Sequence, residues 1–420
     1  MTAVAERRRA GLLRQRNFRL LWIGETVSTA GSAMAVVGIP LLAVTVLHAG
    51  TFAVAVLTAA AYLPWLVIGL PAGAWVDRLP TRPLMITCDV ISALLFASLP
   101  AAAWIGVLST GQVVAVALLA GAANVFFATA YQICLPSLVT KAELVEGNAK
   151  LQGAASVAAI GGRGAAGLAA EAIGAVPALL VNAASFLVSA GCLLRIRPPV
   201  PGPSAPAPAR PARRASVGEG IRFVARDPYL RPLTFYGAVA NLAYTGNLAL
   251  VVVFLVRVVG LGAAAVGLLT AASGIGSLLG ALFAVPLARV FGTARALILA
   301  CLGSGLAGLL IPLTGPGPRI ACYVAGSATV AGGIAAGNVI VRSFLQGYTP
   351  PSMLGRVTAS MRFLGQGAVP LGALLAGALG ASLGVRIGLW AVLAIYAGSG
   401  SFLLTSPICT VRNLPARPAP

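Results

Sequence analysis

Residues 73–83 read GAWVDRLPTRP and place one acid, two arginines and two prolines between long apolar runs. Such a cluster is unusual in a chain of 420 residues of which 59% are hydrophobic and only 9% are charged. A soluble protein would need more polar surface to cover its core. An apolar run of about 20 residues, at about 1.5 Å per residue, can cross a hydrocarbon layer roughly 30 Å thick. The composition therefore predicts an all-α membrane protein in which 73–83 is a loop.

The breaks between apolar runs predict twelve transmembrane helices in two six-helix bundles. The spans are 18–47, 52–76, 83–106, 112–137, 148–172, 175–196, 229–258, 263–288, 294–315, 319–346, 356–383 and 386–406. The implied domains are a basic N-terminus (1–17), a first bundle (18–196), a linker rich in Pro, Ala and Arg (197–228), a second bundle (229–406) and a tail (407–420). The linker, at least over 197–220, should be extended or disordered.

Loop charge predicts the orientation of the spans. The basic loops carry Arg78 and Arg82, Lys141 and Lys150, the 195–231 stretch, Arg289 and Arg295, and Arg356. In the first half the opposite loops, LHAGTFA, GVLSTGQ and EAIGAVP, contain no lysine or arginine. Because cytoplasmic loops accumulate basic residues, both termini and the 73–83 loop should be cytoplasmic. Membrane topology explains the net charge of +20 better than nucleic-acid binding does.

The two halves carry matching residues at a shift of about 210 positions, which predicts an internal repeat. In span two and the loop after it, Gly69, Gly73 and Arg82 match Gly276, Gly280 and Arg289 at a shift of 207. Other matches, at shifts of 212 and 208, bracket spans one and seven and follow spans four and ten. Together with the six-plus-six count, these shifts favour two pseudo-symmetric bundles.

In this setting, 73–83 resembles the signature between helices two and three of the major facilitator superfamily. That signature is Gly, three residues, Asp-Arg, one residue, Gly and two basic positions. The matching residues are Gly73, Asp77, Arg78 and Arg82. Pro80 stands in place of the second glycine and Thr81 in place of the first basic residue. The resemblance covers residues 15–406. The segments 16–34, 135–156 and 182–190 are similar to the drug- and siderophore-export branch.

The resemblance implies a cytoplasmic gate. Asp77 would face the positively polarised start of span eleven, near Gly355 and Arg356, and favour the outward-open state. Since proline has a fixed negative φ, Pro80 cannot replace a glycine that needs φ > 0, and the turn should differ from the family pattern. The alternative is that the arginines of the loop only supply cytoplasmic positive charge.

Ionisable groups inside the spans are functional candidates because burying them is costly. Glu25 is the candidate for proton coupling, since a carboxyl group in an apolar site can take up a proton near neutral pH. Its alternatives are a structural salt bridge or a position at the cytoplasmic rim. We expect Asp89, in span three, to be a structural partner of a nearby arginine. Arg163 occupies the proline position of an exporter Gly-Pro pair, and would bind an anionic substrate group or pair with Glu171 or Glu25.

Spans one, four, seven and ten line the central cavity in this family, and each carries polar residues here. The candidate substrate-cavity residues are Ser28, Ser32, Asn124, Arg163, Asn241, Tyr244, Asn247 and Asn338. Small polar residues in spans also hold helices together, which is the alternative for each of them.

Other functions lack their sequence signatures. There is no G-x-x-x-x-G-K-[ST] nucleotide loop, His48 is the sole histidine, and the six cysteines form no C-x-x-C pair, so we expect no enzyme activity, no metal and no cofactor. The sequence predicts a monomeric secondary transporter of the cytoplasmic membrane, driven by the proton motive force. It would export lipophilic or amphipathic small molecules by proton antiport, with lipid and a small-molecule substrate as partners and no nucleic acid. The alternatives are a dedicated siderophore or natural-product exporter and, third, an importer.

Overall fold

The computed structural model describes residues 12–76, 78–140, 143–196 and 217–415. Within these ranges the regular secondary structure is helical and there are no strands, as predicted. Asp77, residues 197–216 of the predicted linker and both chain ends lie outside the described residues.

The first half of the chain forms seven α-helices. They are α1 (Arg16–Thr45), α2 (Thr51–Val67), α3 (Gly69–Val76), α4 (Thr81–Trp104), α5 (Thr110–Leu138), α6 (Leu144–Ile173) and α7 (Ala175–Arg195).

The second half forms eight α-helices. They are α8 (Val217–Arg226), α9 (Leu230–Val253), α10 (Ala263–Phe291), α11 (Thr293–Gly308), α12 (Ile320–Tyr348), α13 (Pro351–Ser382), α14 (Val385–Ser399) and α15 (Ser401–Leu404). A π-helical turn, Phe254–Val258, continues α9.

Each of the twelve predicted spans overlaps a helix, and ten helical segments of the described residues are long and apolar enough to cross a membrane. The protein is therefore a multi-pass membrane protein. The second predicted span is divided into α2, of 17 residues, and α3. The fifth corresponds to α6, which carries four charged residues and is not among the ten apolar segments. A total of twelve crossings remains a prediction.

The helices group into two compact units whose boundary differs from the predicted one. Among the described residues, the first unit runs to Leu47 and from Leu63 to the end of α7, while the second contains His48–Tyr62 and everything from α8 onward. Tight packing explains why His48–Tyr62 belongs to the second unit. A Cβ added to Gly377 of α13 would lie 2.3 Å from the Cβ of Ala55. Arg257 also donates a hydrogen bond from Nη2 to the carbonyl of Ala49, at 2.6 Å.

The end of the predicted linker is ordered. Instead of being extended, residues 217–220 begin the helix α8, which packs on α13. Glu219 forms an ion pair with Arg356, and a Cβ added to Gly220 would lie 2.5 Å from the hydroxyl of Ser360. A helix this short is marginal by itself, so its packing against α13 stabilises it.

Candidate functional site

Three glycines spaced seven residues apart bring α1 against α7. A Cβ added to Gly31 would lie 2.0 Å from the hydroxyl oxygen of Ser185, and one added to Gly24 would lie 3.4 Å from the Cα of Ser189. A Cβ added to Gly38 would lie 3.4 Å from the Cδ2 of Leu179. Small residues let membrane helices approach closely. This packing sets the position of Glu25, which follows Gly24 on α1.

Glu25 and Asp89 form an acidic cluster in the first unit. The two carboxyl groups interact electrostatically, and Glu25 also interacts with Tyr131 of α5. Asp89 is only 2% exposed, accepts a hydrogen bond from Ser189 of α7, and leaves its Oδ2 without a hydrogen-bond partner. Glu25 is half-buried. At 1.5 Å per residue, Glu25 lies about 14 Å from the start of α1 and Asp89 about 12 Å from the start of α4, so the two residues are at matching depths.

This arrangement changes the interpretation of Asp89. We expected an arginine as its partner, but the described residues give it the Ser189 hydroxyl and no ion pair with a basic side chain. Two interacting carboxyl groups that have little water around them are suited to take up a proton. The sequence could not reveal the cluster because its members lie on four different helices.

The residues of the 73–83 loop, called the motif loop from here on, have different environments. Arg82 donates hydrogen bonds from Nε to the carbonyl of Leu193, at 2.7 Å, and from Nη2 to that of Leu194, at 2.6 Å. It therefore caps the last turn of α7, where carbonyl groups lack intrahelical donors. Arg78 is exposed, and a Cβ added to Gly73 would meet nothing within 4 Å.

Pro80 directly precedes α4 and has φ −65° and ψ 115°. This extended conformation suits proline, so among the described residues of the loop no position needs the positive φ that a glycine would supply. Asp77 lies outside the described residues.

Arg163 lies half-buried on α6, next to the glycine that packs this helix on α1. A Cβ added to Gly162 would lie 2.3 Å from the carbonyl oxygen of Ala30. The glycines before Arg163 therefore differ in role, because Gly161 has open space around it and Gly162 makes a close helix contact.

The predicted cavity residues fall into three groups by exposure. Ser28 and Asn247 are buried, and the Oδ1 of Asn247 has no hydrogen-bond partner. Ser32 and Tyr244 are half-buried. The exposed members are Asn124, Asn241 and Asn338. An exposed amide in a membrane-crossing helix needs water or a polar ligand, because lipid chains offer no hydrogen bonds. The exposed asparagines are thus the stronger candidates for contact with an aqueous pathway.

Sequence reasoning missed a buried hydroxyl network in the second unit. The Ser304 and Tyr396 hydroxyl oxygens are 3.1 Å apart, and Tyr236 hydrogen-bonds to both Tyr396 and Cys301. The network joins α9, α11 and α14. Its residues are separated by up to 160 positions, and no local pattern marks them. Among the described residues, no group of three or more His, Cys, Asp or Glu side chains could hold a metal ion.

Two helical units with many membrane-crossing helices and ionisable groups inside them are the architecture of a multi-pass membrane transporter. The chain belongs to the Major Facilitator Superfamily, whose family model matches residues 21–373. The family predicted from the motif loop is therefore confirmed.

The chain is similar to known transporters in sequence and in fold. It is 30% identical over 377 residues to the multidrug efflux pump Tap of Mycolicibacterium fortuitum, covering 87% of this chain and 90% of that protein. The nucleoside transporter NupG superposes with a TM-score of 0.73 at 12% identity, over 92% of this chain and 97% of NupG. An inward-facing bacterial homologue of the human lysosomal transporter Spinster superposes with a TM-score of 0.69 at 15% identity, over 94% of this chain and 97% of that protein. The two structural likenesses concern the fold alone.

Proposed function

We propose that the protein exports lipophilic or amphipathic small molecules across the cytoplasmic membrane by proton antiport with alternating access. The acidic cluster of Glu25 and Asp89 carries this proposal, because it offers a proton-binding site within the membrane. The similarity to a multidrug efflux pump over most of both chains supports the export direction and the broad substrate class. Twelve crossings, cytoplasmic termini and a monomeric state complete the proposal.

The proton step uses the first unit. Its two clustered carboxyl groups lie at matching depths in α1 and α4. Asp89 accepts a hydrogen bond from Ser189, and Glu25 interacts electrostatically with Tyr131. The chain has no acidic residue after Asp227, so most of the second unit cannot supply a proton-carrying carboxyl group. We infer that Glu25 and Asp89 take up and release the proton that exchanges for substrate.

The substrate step uses polar residues on three helices. Asn124 and Asn241 are exposed near the middle of α5 and α9, and Asn338 is exposed in the second half of α12. Sparse amides on otherwise apolar helices suit substrates with an apolar body and few hydrogen-bonding groups. In the motif loop, Gly73, Asp77 and Arg78 would form the cytoplasmic gate, while Arg82 holds α7.

Dye efflux tests the proton coupling. Cells or proteoliposomes loaded with a fluorescent lipophilic dye are energised, and efflux is followed with and without an uncoupler. Glu25→Gln and Asp89→Asn should each lower gradient-driven efflux more than tenfold, because neither amide can carry the proton. Exchange of dye against dye without a gradient should continue, which shows that the variants fold and bind substrate.

The matched control is Glu146→Gln, which removes an exposed carboxylate that pairs with Lys150 at 2.9 Å on the surface of α6. It should leave efflux unchanged, since exposed ion pairs contribute little. Proton coupling would be refuted if the uncoupler did not change efflux, or if both acidic-cluster variants showed wild-type efflux.

A further inference from the structure

We propose that a polar face of α12, formed by Asn338, Arg342 and Gln346, binds the anionic group of amphipathic substrates. This inference rests on the proposed export function and names the substrate class that the second unit recognises: amphiphiles that carry a carboxylate, sulfonate or phosphate group.

The three residues share one face of the helix. They are spaced four residues apart, which places them one above the other along α12. All three are exposed, whereas Gly337, Ile340 and other residues on the opposite side of this half of the helix are buried. The face is thus a continuous polar stripe along this half of α12.

The stripe lies within the membrane-crossing part of α12. This segment ends at Tyr348, so Arg342 lies about 9 Å and Asn338 about 15 Å from its end at 1.5 Å per residue. Lipid chains cannot satisfy a guanidinium or an amide at these depths, and such groups face a water-filled cavity or a polar partner. An amide deeper than the arginine cannot reach the headgroups as a long basic side chain can. The stripe therefore faces the aqueous substrate pathway.

The charge of the second unit leaves Arg342 without a protein counter-ion there. Both acids of its described part are already engaged, Glu219 with Arg356 and Asp227 with Tyr348. Beyond Asp227 the sequence contains eleven arginines and no acid. Within the described ranges, no hydrogen bond or ion pair joins Arg342 to another residue.

An uncompensated guanidinium beside two amides matches one ligand chemistry. The planar guanidinium binds a carboxylate, sulfonate or phosphate group through two parallel hydrogen bonds. Asn338 and Gln346 can add neutral hydrogen bonds on either side along the helix. The same charge would repel a cationic group, so the stripe discriminates between amphiphiles by the sign of their charge.

Binding of a matched ligand pair tests the inference. The ligands are a lipophilic fluorescent carboxylate and the methyl ester of the same dye, titrated into the purified full-length protein in neutral detergent. Charge-assisted hydrogen bonds contribute about 1.5–3 kcal/mol, so Arg342→Gln should weaken carboxylate binding roughly tenfold to a hundredfold. Ester binding should change less than twofold. Arg342→Lys should restore part of the loss, because it keeps the charge without the planar geometry.

The control is Arg319→Gln, which removes an exposed arginine at the opposite end of the same helical segment. It should alter neither affinity. Equal losses for carboxylate and ester in Arg342→Gln, or no loss for either, would overturn the inference. So would displacement of the carboxylate by phosphatidylglycerol that depends equally on Arg342, since the face would then be a lipid site.

Transport of the same two dyes separates this inference from the proposed function. Selective binding that depends on Arg342, without efflux of either dye, would refute the exporter proposal and leave the anion-binding face intact. If both dyes are exported and each binds wild-type protein and Arg342→Gln with the same affinity, the exporter proposal stands and the anion-binding face is refuted.

Discussion

Asp227 links the start of α9 to the end of α12, and removing its contacts should lower the free energy of unfolding. Its Oδ1 accepts hydrogen bonds from the backbone N–H groups of Tyr229, at 2.9 Å, and Leu230, at 2.8 Å, at the start of α9. Its Oδ2 accepts one from the hydroxyl of Tyr348, at 2.7 Å, at the end of α12. Asp227 is 9% exposed and Tyr348 is 2% exposed, so water cannot readily replace the lost partner.

The structure gives the size of each effect. Tyr348→Phe removes one hydrogen bond to a carboxylate and leaves the Oδ2 of Asp227 buried without this partner. The free energy of unfolding should therefore fall by about 1.5–3 kcal/mol. Asp227→Ala also removes the cap of α9, which contributes about 1 kcal/mol, so its total should be about 2.5–4 kcal/mol. In the Asp227→Ala background, Tyr348→Phe should cost little, because its partner is already gone.

Denaturant unfolding of the purified protein in mixed micelles measures all four members of this double-mutant cycle. Tyr229→Phe is the control, because the Tyr229 ring lies edge-on to Tyr348 and no hydrogen bond among the described residues uses its hydroxyl group. It should change stability by less than about 0.5 kcal/mol. If the costs of Tyr348→Phe and Asp227→Ala add within about 0.5 kcal/mol, the hydrogen bond contributes nothing and the reasoning fails.

Two further changes test contacts in the first unit, each read from the thermal unfolding midpoint in detergent. Gly162→Ala should destabilise the protein by about 1–3 kcal/mol, because its Cβ would lie 2.3 Å from a backbone oxygen of α1. Gly161→Ala, with open space around it, should be neutral or slightly stabilising, and equal midpoints for the pair would contradict the α1–α6 packing. Arg82→Ala should cost about 1–3 kcal/mol, since it uncaps two carbonyl groups of α7. Its repeat counterpart Arg289 makes no such contact among the described residues, so Arg289→Gln should cost less than about 0.5 kcal/mol. A similar loss in both variants would refute the capping role of Arg82.

The internal repeat in the sequence does not translate into equal contacts. Gly276 and Gly280 pack against the backbone of α12, where an added Cβ would lie 2.1 Å and 2.0 Å from carbonyl oxygens. Gly73, the counterpart of Gly280, has open space around it. Arg82 caps the end of α7, whereas no hydrogen bond among the described residues gives Arg289 such a role. Matching positions in the two halves have therefore acquired different structural roles.

The positions of the ten long apolar helices followed from the sequence alone. The span predicted at 83–106 corresponds to α4, Thr81–Trp104, and the span at 263–288 to α10, Ala263–Phe291. Hydropathy and helix length are local properties, and lipid requires every backbone group to be satisfied within its own segment. The motif loop likewise identified the family, because its residues are contiguous in the chain.

Only the tertiary structure decided what the polar residues contact. Asp89 pairs with Ser189, which is 100 positions away, and Arg82 caps a helix end 111 positions away. The segment 48–62 belongs to the second unit, although the sequence places it in the first half. Hydrogen bonds and close packing depend on which helices lie side by side and how each is rotated, and no local pattern in the chain specifies that arrangement.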